Sequence, residues 1–249
     1  MSHSDWFEEE KNAYESMRQG LRGEYTMHTF DEYYWKLDKS AFSKKITVLG
    51  YGAADGKELE RIAQYCDRIC IVDPTMTMKN DELEGVKLEY FSPNKEGKLC
   101  FEDETFDMIT CKSVLMYIMN PESVILELLR VLKRNGVLLI CEPSTDMHVG
   151  DGIRRRGMGQ YARGLPPEFY EKTLRGQEVT YTMNHCMFSP WMRVAWSKLI
   201  REPLNRRWFV IIDSILCKLF RWNWKYQRSR FIDKFAPGVL YLKIRKNDG

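Results

Sequence analysis

The chain has 249 residues, 44% of them hydrophobic and 29% charged, with a net charge of +3. Those values argue against wholesale disorder and do not favour a nucleic-acid binder, and the length suits one α/β domain with additions rather than two complete domains. The charge is uneven: Arg193 to Lys234 holds eleven Lys and Arg against three acids, whereas the first fifteen residues are acidic.

The predicted elements begin with a helical cap over residues 1–43. Within it Trp6, Phe7, Tyr14, Met17, Leu21, Phe30, Tyr33, Tyr34 and Leu37 form apolar faces broken around Gly20 and Gly23. Strands then alternate with helices: strand 46 to 50, helix 56 to 66, strand 69 to 73, strand 87 to 91, strand 106 to 111, helix 121 to 133 and strand 136 to 142. That alternation specifies a mostly parallel sheet with helices on both faces. Asn120 before Pro121 predicts an N-cap, Ile125, Leu128, Leu129 and Leu132 a buried stripe, and Gly136 the helix stop. After Cys141 the alternation ends. Residues 146 to 167 contain five glycines and the run Arg154-Arg155-Arg156, which predicts a loop over the carboxyl ends of the strands. Ser189 to Ile200 and Trp208 to Trp224 predict helices, and Val239 to Arg245 a closing strand. The division expected is 1–43 as cap and 44–249 as catalytic domain, with 144–235 holding a substrate-side loop and helical insertion.

Seven cysteines lie mostly inside apolar runs without paired metal-ligand spacing, so they read as reduced core residues. Cys66 and Cys70, four apart, are expected on one helix face. The N-terminus lacks a basic region leading into an apolar core, and no apolar run approaches the roughly eighteen residues of a membrane span. A cytoplasmic protein is the expectation.

The most informative stretch is Ile46 to Gly56, a short apolar run that breaks into small residues, followed about twenty residues later by Ile69 to Val72 and then Asp73. A buried strand ending near Leu49 and a loop of small residues let the backbone approach a ligand, while the carboxylate can bind ribose hydroxyls. The bland alternative is a tight turn without a ligand. A nicotinamide dinucleotide would want a glycine where Asp55 stands, because an acid there sits near the pyrophosphate. S-adenosylmethionine carries a sulfonium cation and no phosphate, so it tolerates that acid.

The sequence Val48-Leu49-Gly50-Tyr51-Gly52-Ala53-Ala54-Asp55-Gly56 resembles the first motif of the class I S-adenosylmethionine-dependent methyltransferases. Gly50 stands in place of the usual acid and Ala54 in place of the middle glycine. Leu99 to Ile109 is similar to the family's Leu-Pro-Phe, acidic turn and Phe-Asp strand, and Leu129 to Ile140 to its helix, turn and fifth strand. Ala236 to Lys246 resembles its last, antiparallel strand. The resemblance implies a Rossmann-like, mostly parallel seven-stranded sheet with helices on both faces, an N-terminal helical cap and a C-terminal helical insertion before the last strand. It implies S-adenosylmethionine as cofactor, held by Gly50, Tyr51, Gly52, Ala53, Gly56, Asp73 and Pro74, with Lys112 and Ser113 beside the methionine moiety. Asn94 or Glu96 is the adenine-side candidate.

Methyl transfer to a hydroxyl needs alignment and a base. His148, after the fifth strand, and His185, before Phe188-Ser189-Pro190, are the candidate bases, with Asp146 and Glu142 as carboxylate alternatives; a surface or hydrogen-bonded histidine is the bland reading. Arg154, Arg155 and Arg156 are candidate ligands of an anionic acceptor, or else a solvated loop. The Trp- and Arg-rich insertion is most often a core helix; resting on the inner face of a membrane is the alternative. The acceptor expected is a small molecule or saccharide, anionic or lipid-linked, with oxygen favoured over nitrogen and nucleic acid not favoured. The opposing class is a non-catalytic binding or membrane-associated module on the same fold.

Overall fold

The computed structural model describes residues 45–74, 79–94, 98–146, 163–188 and 206–248. The expected cap at 1–43, the helix at 189–200, His148, Glu96 and Arg154, Arg155 and Arg156 lie outside the described residues.

The sheet has strands β1 (Ile46–Tyr51), β2 (Cys66–Val72), β3 (Glu82–Leu83), β4 (Val86–Phe91), β5 (Phe106–Lys112), β6 (Leu132–Pro143), β7 (Val179–Phe188) and β8 (Pro237–Lys246). Its order is β3-β4-β2-β1-β5-β6-β8-β7, eight strands rather than the expected seven, the addition being the two-residue β3 hairpinned onto β4. Strands β4, β2, β1, β5 and β6 run parallel, and β8 pairs antiparallel with both β6 and β7. Side chains alternate between two cores. Val48, Ile69, Ile71, Met108 and Leu139 pack with Leu59 and Ile62 on one face. On the other, Leu49, Cys70, Ile109, Leu138 and Ile140 meet Val124, Ile125, Leu128 and Leu129 of helix α2.

The described helices are α1 (Glu60–Ala63), α2 (Pro121–Val131), α3 (Pro167–Leu174) and α4 (Arg207–Leu219). Several boundaries differ from the sequence expectation, each for a local reason. The first helix is only a 3-10 turn at Lys57–Leu59 followed by α1, because Cys66 already pairs with Ile46 as β2 begins. Cys66 and Cys70 therefore sit in a strand and face opposite cores, not one helix face. Pro121 does open α2, but Asn120 makes no side-chain cap bond. The helix stops at Val131, since Leu132 pairs with Phe106. Residues 133–136 then bulge out, with Asn135 at φ 61°, before Val137 pairs with Met108. Gly136 closes this bulge: a Cβ there would lie 2.7 Å from the Lys133 carbonyl oxygen.

Two elements lie where the sequence reading places loop and insertion. Helix α3 starts behind Pro166 and Pro167, whose fixed φ suits a first turn. Strand β7 is the hairpin partner of β8, and the insertion sits between them. At its end Met187 takes φ 56° between Cys186 and Phe188, which keep one register against Val239 and Pro237. The N–H groups of Met187 and Phe188 instead donate to the buried carboxylate of Asp213 on α4, at 2.9 and 2.8 Å.

Candidate cofactor and acceptor site

The chain leaves β1 toward β2 on one side and later returns through β5 on the other, so the sheet has its topological switch at β1 and β5. A crevice for a ligand opens at the carboxyl ends of such strands. The loop after β1 and the loop after β5 meet there. Gly52, at φ 72°, lies so close that an added Cβ would be 2.2 Å from a Val114 methyl. Only glycine permits both that backbone angle and that approach.

The small-residue loop is tied to the next strand by Gly52 N–H to the Val72 carbonyl at 2.7 Å and by Ala54 N–H to Asp73 Oδ2 at 3.1 Å. Asp73 is buried at the end of β2, and its own N–H donates to the Phe91 carbonyl at 3.1 Å. The expected ribose ligand is therefore oriented by the loop it serves. Ala54 sits at φ 52°, a region glycine enters more easily, which is how the chain accommodates its departure from the motif. Tyr51 and Ala53 are buried, Gly56 takes φ 76° where the 3-10 turn begins, and Pro74 follows Asp73 at the rim.

The other departure has a packing cause. A Cβ at Gly50 would stand 2.7 Å from the Ala53 Cβ and 3.2 Å from Leu59 Cδ1. Gly50 pairs with Thr110, whose hydroxyl donates to the buried carboxylate of Glu58. An acid at position 50 thus meets both a filled space and another carboxylate. Gly50→Asp, which restores the familiar motif, should destabilise the fold by about 1–3 kcal/mol, as overpacking does, and lower the midpoint of thermal unfolding.

These residues fit S-adenosylmethionine better than a dinucleotide. A buried carboxylate suits the donor hydroxyls of a ribose. The N–H of Lys57, which a phosphate would need, already donates to Asp55 Oδ1 at 3.2 Å. The loop leads into a 3-10 turn and a four-residue helix, a weak dipole for an anion. Of the adenine-side candidates, Asn94 uses its side-chain oxygen to accept from Lys98 N–H at 2.6 Å.

Lys112 is buried at the end of β5, and Ser113 turns the chain with φ 57° and its N–H on the Cys141 carbonyl at 2.9 Å. The residues after it form a nest around Glu142, at the end of β6. Glu142 Oε1 accepts from Val114 and Leu115 N–H at 2.7 and 2.8 Å, and Oε2 from Met116 at 3.4 Å. The carboxyl is fully buried, and burial raises its pKa to about 8 against the opposing pull of the three N–H donors. By sequence Glu142 stands beside Asp146 as an alternative base. Its lone pairs instead hold the loop that flanks Gly52.

Beyond that loop lies a cavity of about 610 Å³, lined among others by Met119, Asn120, Glu122, Phe169, Trp224 and Tyr226. Its walls are tied to the loop after β5 and to the end of β6. Arg163 N–H donates to the Met116 carbonyl at 3.1 Å, and Leu165 N–H to the Pro143 carbonyl at 2.8 Å. Trp224 Nε1 donates to Ser144 Oγ at 3.2 Å, and the Tyr226 hydroxyl to the Gly164 carbonyl at 3.1 Å. The sequence displays the tryptophan density but not which rings turn inward: Trp222 is 76% exposed, whereas Trp224 and Tyr226 line the cavity.

His185 lies on β7 in the same cross-strand row as Leu240 and Glu142. Its ring centroid is 5.9 Å from that of Trp224, and Nδ1 is buried without a hydrogen-bond partner. Burial, with help from the Arg221 cation and against Glu168 on the cavity wall, lowers its pKa below the ordinary histidine value. The imidazole is therefore neutral at pH 7 and able to take a proton. Asp146 stays at the rim, its N–H on the Tyr226 carbonyl at 2.8 Å. Among the described residues no cluster of His, Cys, Asp or Glu has the arrangement of a metal site, and no helix is long and apolar enough to cross a membrane.

Residues 49–140 match the family described as "Methyltransferase domain". A search of curated proteins finds no match. Among solved structures the chain resembles the YcgJ protein of Bacillus subtilis, with a TM-score of 0.54 and 16% identity over 85% of this chain and 96% of that one. It resembles the plantazolicin methyltransferase BamL, solved with a desmethyl analogue and SAH, with a TM-score of 0.53 and 15% identity over 98% and 99%. A possible histamine N-methyltransferase from Thermotoga maritima gives a TM-score of 0.54 and 13% identity over 94% and 99%.

Proposed function

We propose that this chain, whose residues 49–140 match a methyltransferase domain, is an S-adenosylmethionine-dependent methyltransferase that methylates a hydroxyl oxygen of a small, glycan-type acceptor held in the cavity beneath Trp224 and Tyr226. When bound, the cofactor supplies an electrophilic sulfonium methyl. Asp73 and the 50–56 loop hold its nucleoside, and Glu142 fixes the 113–117 loop at its methionine end.

The observation that carries this reading is the cavity itself. At about 610 Å³ it falls inside the range of roughly 300–1,000 Å³ that small-molecule sites occupy. Phe169, Trp224 and Tyr226 give it aromatic faces, on which the C–H face of a sugar ring stacks, and Asn120 and Glu122 add polar groups at the rim. Residues 116–119 continue from the cofactor loop into its wall, so an acceptor there lies beside the methyl donor. His185, neutral and next to Trp224, is the base that takes the hydroxyl proton.

A second reading follows from Glu122 and Glu168, two carboxylates on the wall against Arg163 as the one cation among the described lining residues. They would attract a cationic amine, making nitrogen the acceptor. A screen with isotopically labelled cofactor against glycosides and amines separates the two. Labelled methyl ethers support the oxygen reading, and label confined to amines replaces it with nitrogen. For the oxygen reading, kcat/KM falls as pH drops through the lowered pKa of His185, and His185→Asn removes that limb along with most of the rate. A pH profile that His185→Asn leaves intact takes the base assignment away.

A further inference from the structure

We propose that α4 and the two 3-10 turns after it form a face that docks on an anionic lipid surface. This does not depend on the choice of acceptor.

Helix α4 is apolar on two sides. Phe209, Val210 and Cys217 are buried toward the sheet with Asp213. At 100° per residue, Trp208, Ile211, Ile212, Ile215 and Leu219 fall within an arc of about 100° on the other side. All five face solvent, Leu219 being 62% exposed. A helix apolar nearly all round belongs in an interior, and a surface helix of a protein that meets only water does not look like this.

The apolar surface continues beyond the helix. The turn Arg221–Asn223 exposes 76% of Trp222, and the turn Phe231–Lys234 exposes 75% of Phe231. Asn223 staples the two turns together, its side-chain amide donating to the Ile232 carbonyl at 2.7 Å and the Phe235 carbonyl at 3.1 Å. Trp222, Phe231 and Ile232 are therefore held out on a rigid support rather than on a loose loop.

Charge identifies the occupant. From 206 to 235 the chain has two acids, Asp213 and Asp233, and both are buried. Asp213 binds the end of β7 and Asp233 is paired with Lys225 at 2.9 Å. The exposed charges, Arg206, Arg207, Lys218, Arg221, Lys225 and Arg230, are all positive. A rim of one positive sign around exposed Trp, Phe and Ile matches an anionic headgroup layer with acyl chains beneath. No described helix is long enough to cross the bilayer, so α4 lies on it.

The test is flotation of the full chain with vesicles of phosphatidylcholine alone and of phosphatidylcholine mixed with phosphatidylglycerol. Binding is expected only to the mixed vesicles and should weaken as salt rises. Trp222→Ala with Phe231→Ala should lower the bound partition about tenfold or more. Arg206→Glu with Arg207→Glu should do the same, each basic group near such a surface contributing roughly fivefold. Affinity for S-adenosylmethionine and the unfolding midpoint report that the variants are folded; the charge-reversed pair, at exposed positions, carries the test if the aromatic pair is not. Equal binding to both vesicle types, no binding to either, or a self-association abolished by the same substitutions would overturn the proposal.

Discussion

Asp73→Ala lowers the affinity for S-adenosylmethionine by about two orders of magnitude or more, because hydrogen bonds to a charged group are worth about 1.5–3 kcal/mol each and a ribose presents two hydroxyls. The carboxylate has a second task, since Asp73 Oδ2 accepts the N–H of Ala54. Ala54 holds φ 52°, and without that bond nothing described keeps its N–H satisfied in the buried loop. The loss is thus both of a ligand group and of the loop's shape. Asp73→Asn keeps one acceptor oxygen and should fall between the two. Titration calorimetry gives the affinities, and an unchanged value for the alanine variant would remove Asp73 from the cofactor site.

Glu142→Ala is expected to destabilise the fold by about 3–5 kcal/mol, the cost typical of stripping a buried charged or hydrogen-bonded group from its partners. The N–H groups of Val114, Leu115 and Met116 would lose their shared acceptor in a site with no exposure. Denaturant unfolding measures it. Glu142→Gln keeps the shape and an acceptor oxygen, so its cost is small, and it alters the pH dependence instead. The folded-state pKa is raised to about 8, above its value in the unfolded chain. Such a group contributes stability that is full below the unfolded value and is lost as pH rises through the folded one. Stability of the parent should decline between about pH 5 and 8, and Glu142→Gln should flatten that decline. A decline that persists in the variant would place its origin elsewhere.

The geometry of the loop after β1 was legible because its constraints are local. Gly52, Gly56 and Asp73 lie within one strand, turn and strand, where backbone geometry dictates residue type. Gly50 was legible as a departure but not as a fit, since Ala53, Leu59 and Glu58 exclude the acid only after the chain folds back. Glu142 hid for a similar reason: its partners are backbone groups 26 to 28 residues away, and backbone donors leave no mark on sequence. Strand β7 carried a visible signal in Val179, Tyr181 and Met183, alternating with Thr180 and Thr182. Ser189-Pro190 directly after it reads as a helix start and masks the strand's end. The cavity wall was least legible, because Phe169 and Trp224 come from separate segments and line one cavity only through tertiary bonds such as Trp224 to Ser144.

Among the described residues β7 is the outer strand of the sheet, and much of it is exposed. An open strand of this kind is a template on which a second chain can add itself. Met187 leaves the extended conformation at φ 56°, and the carboxylate of Asp213 takes the last two N–H donors. The N–H groups of Met187 and Phe188 are thereby taken up before an incoming strand can use them. The aspartate that anchors α4 thus also closes one end of the open edge, so helix docking and edge capping are joined at one side chain.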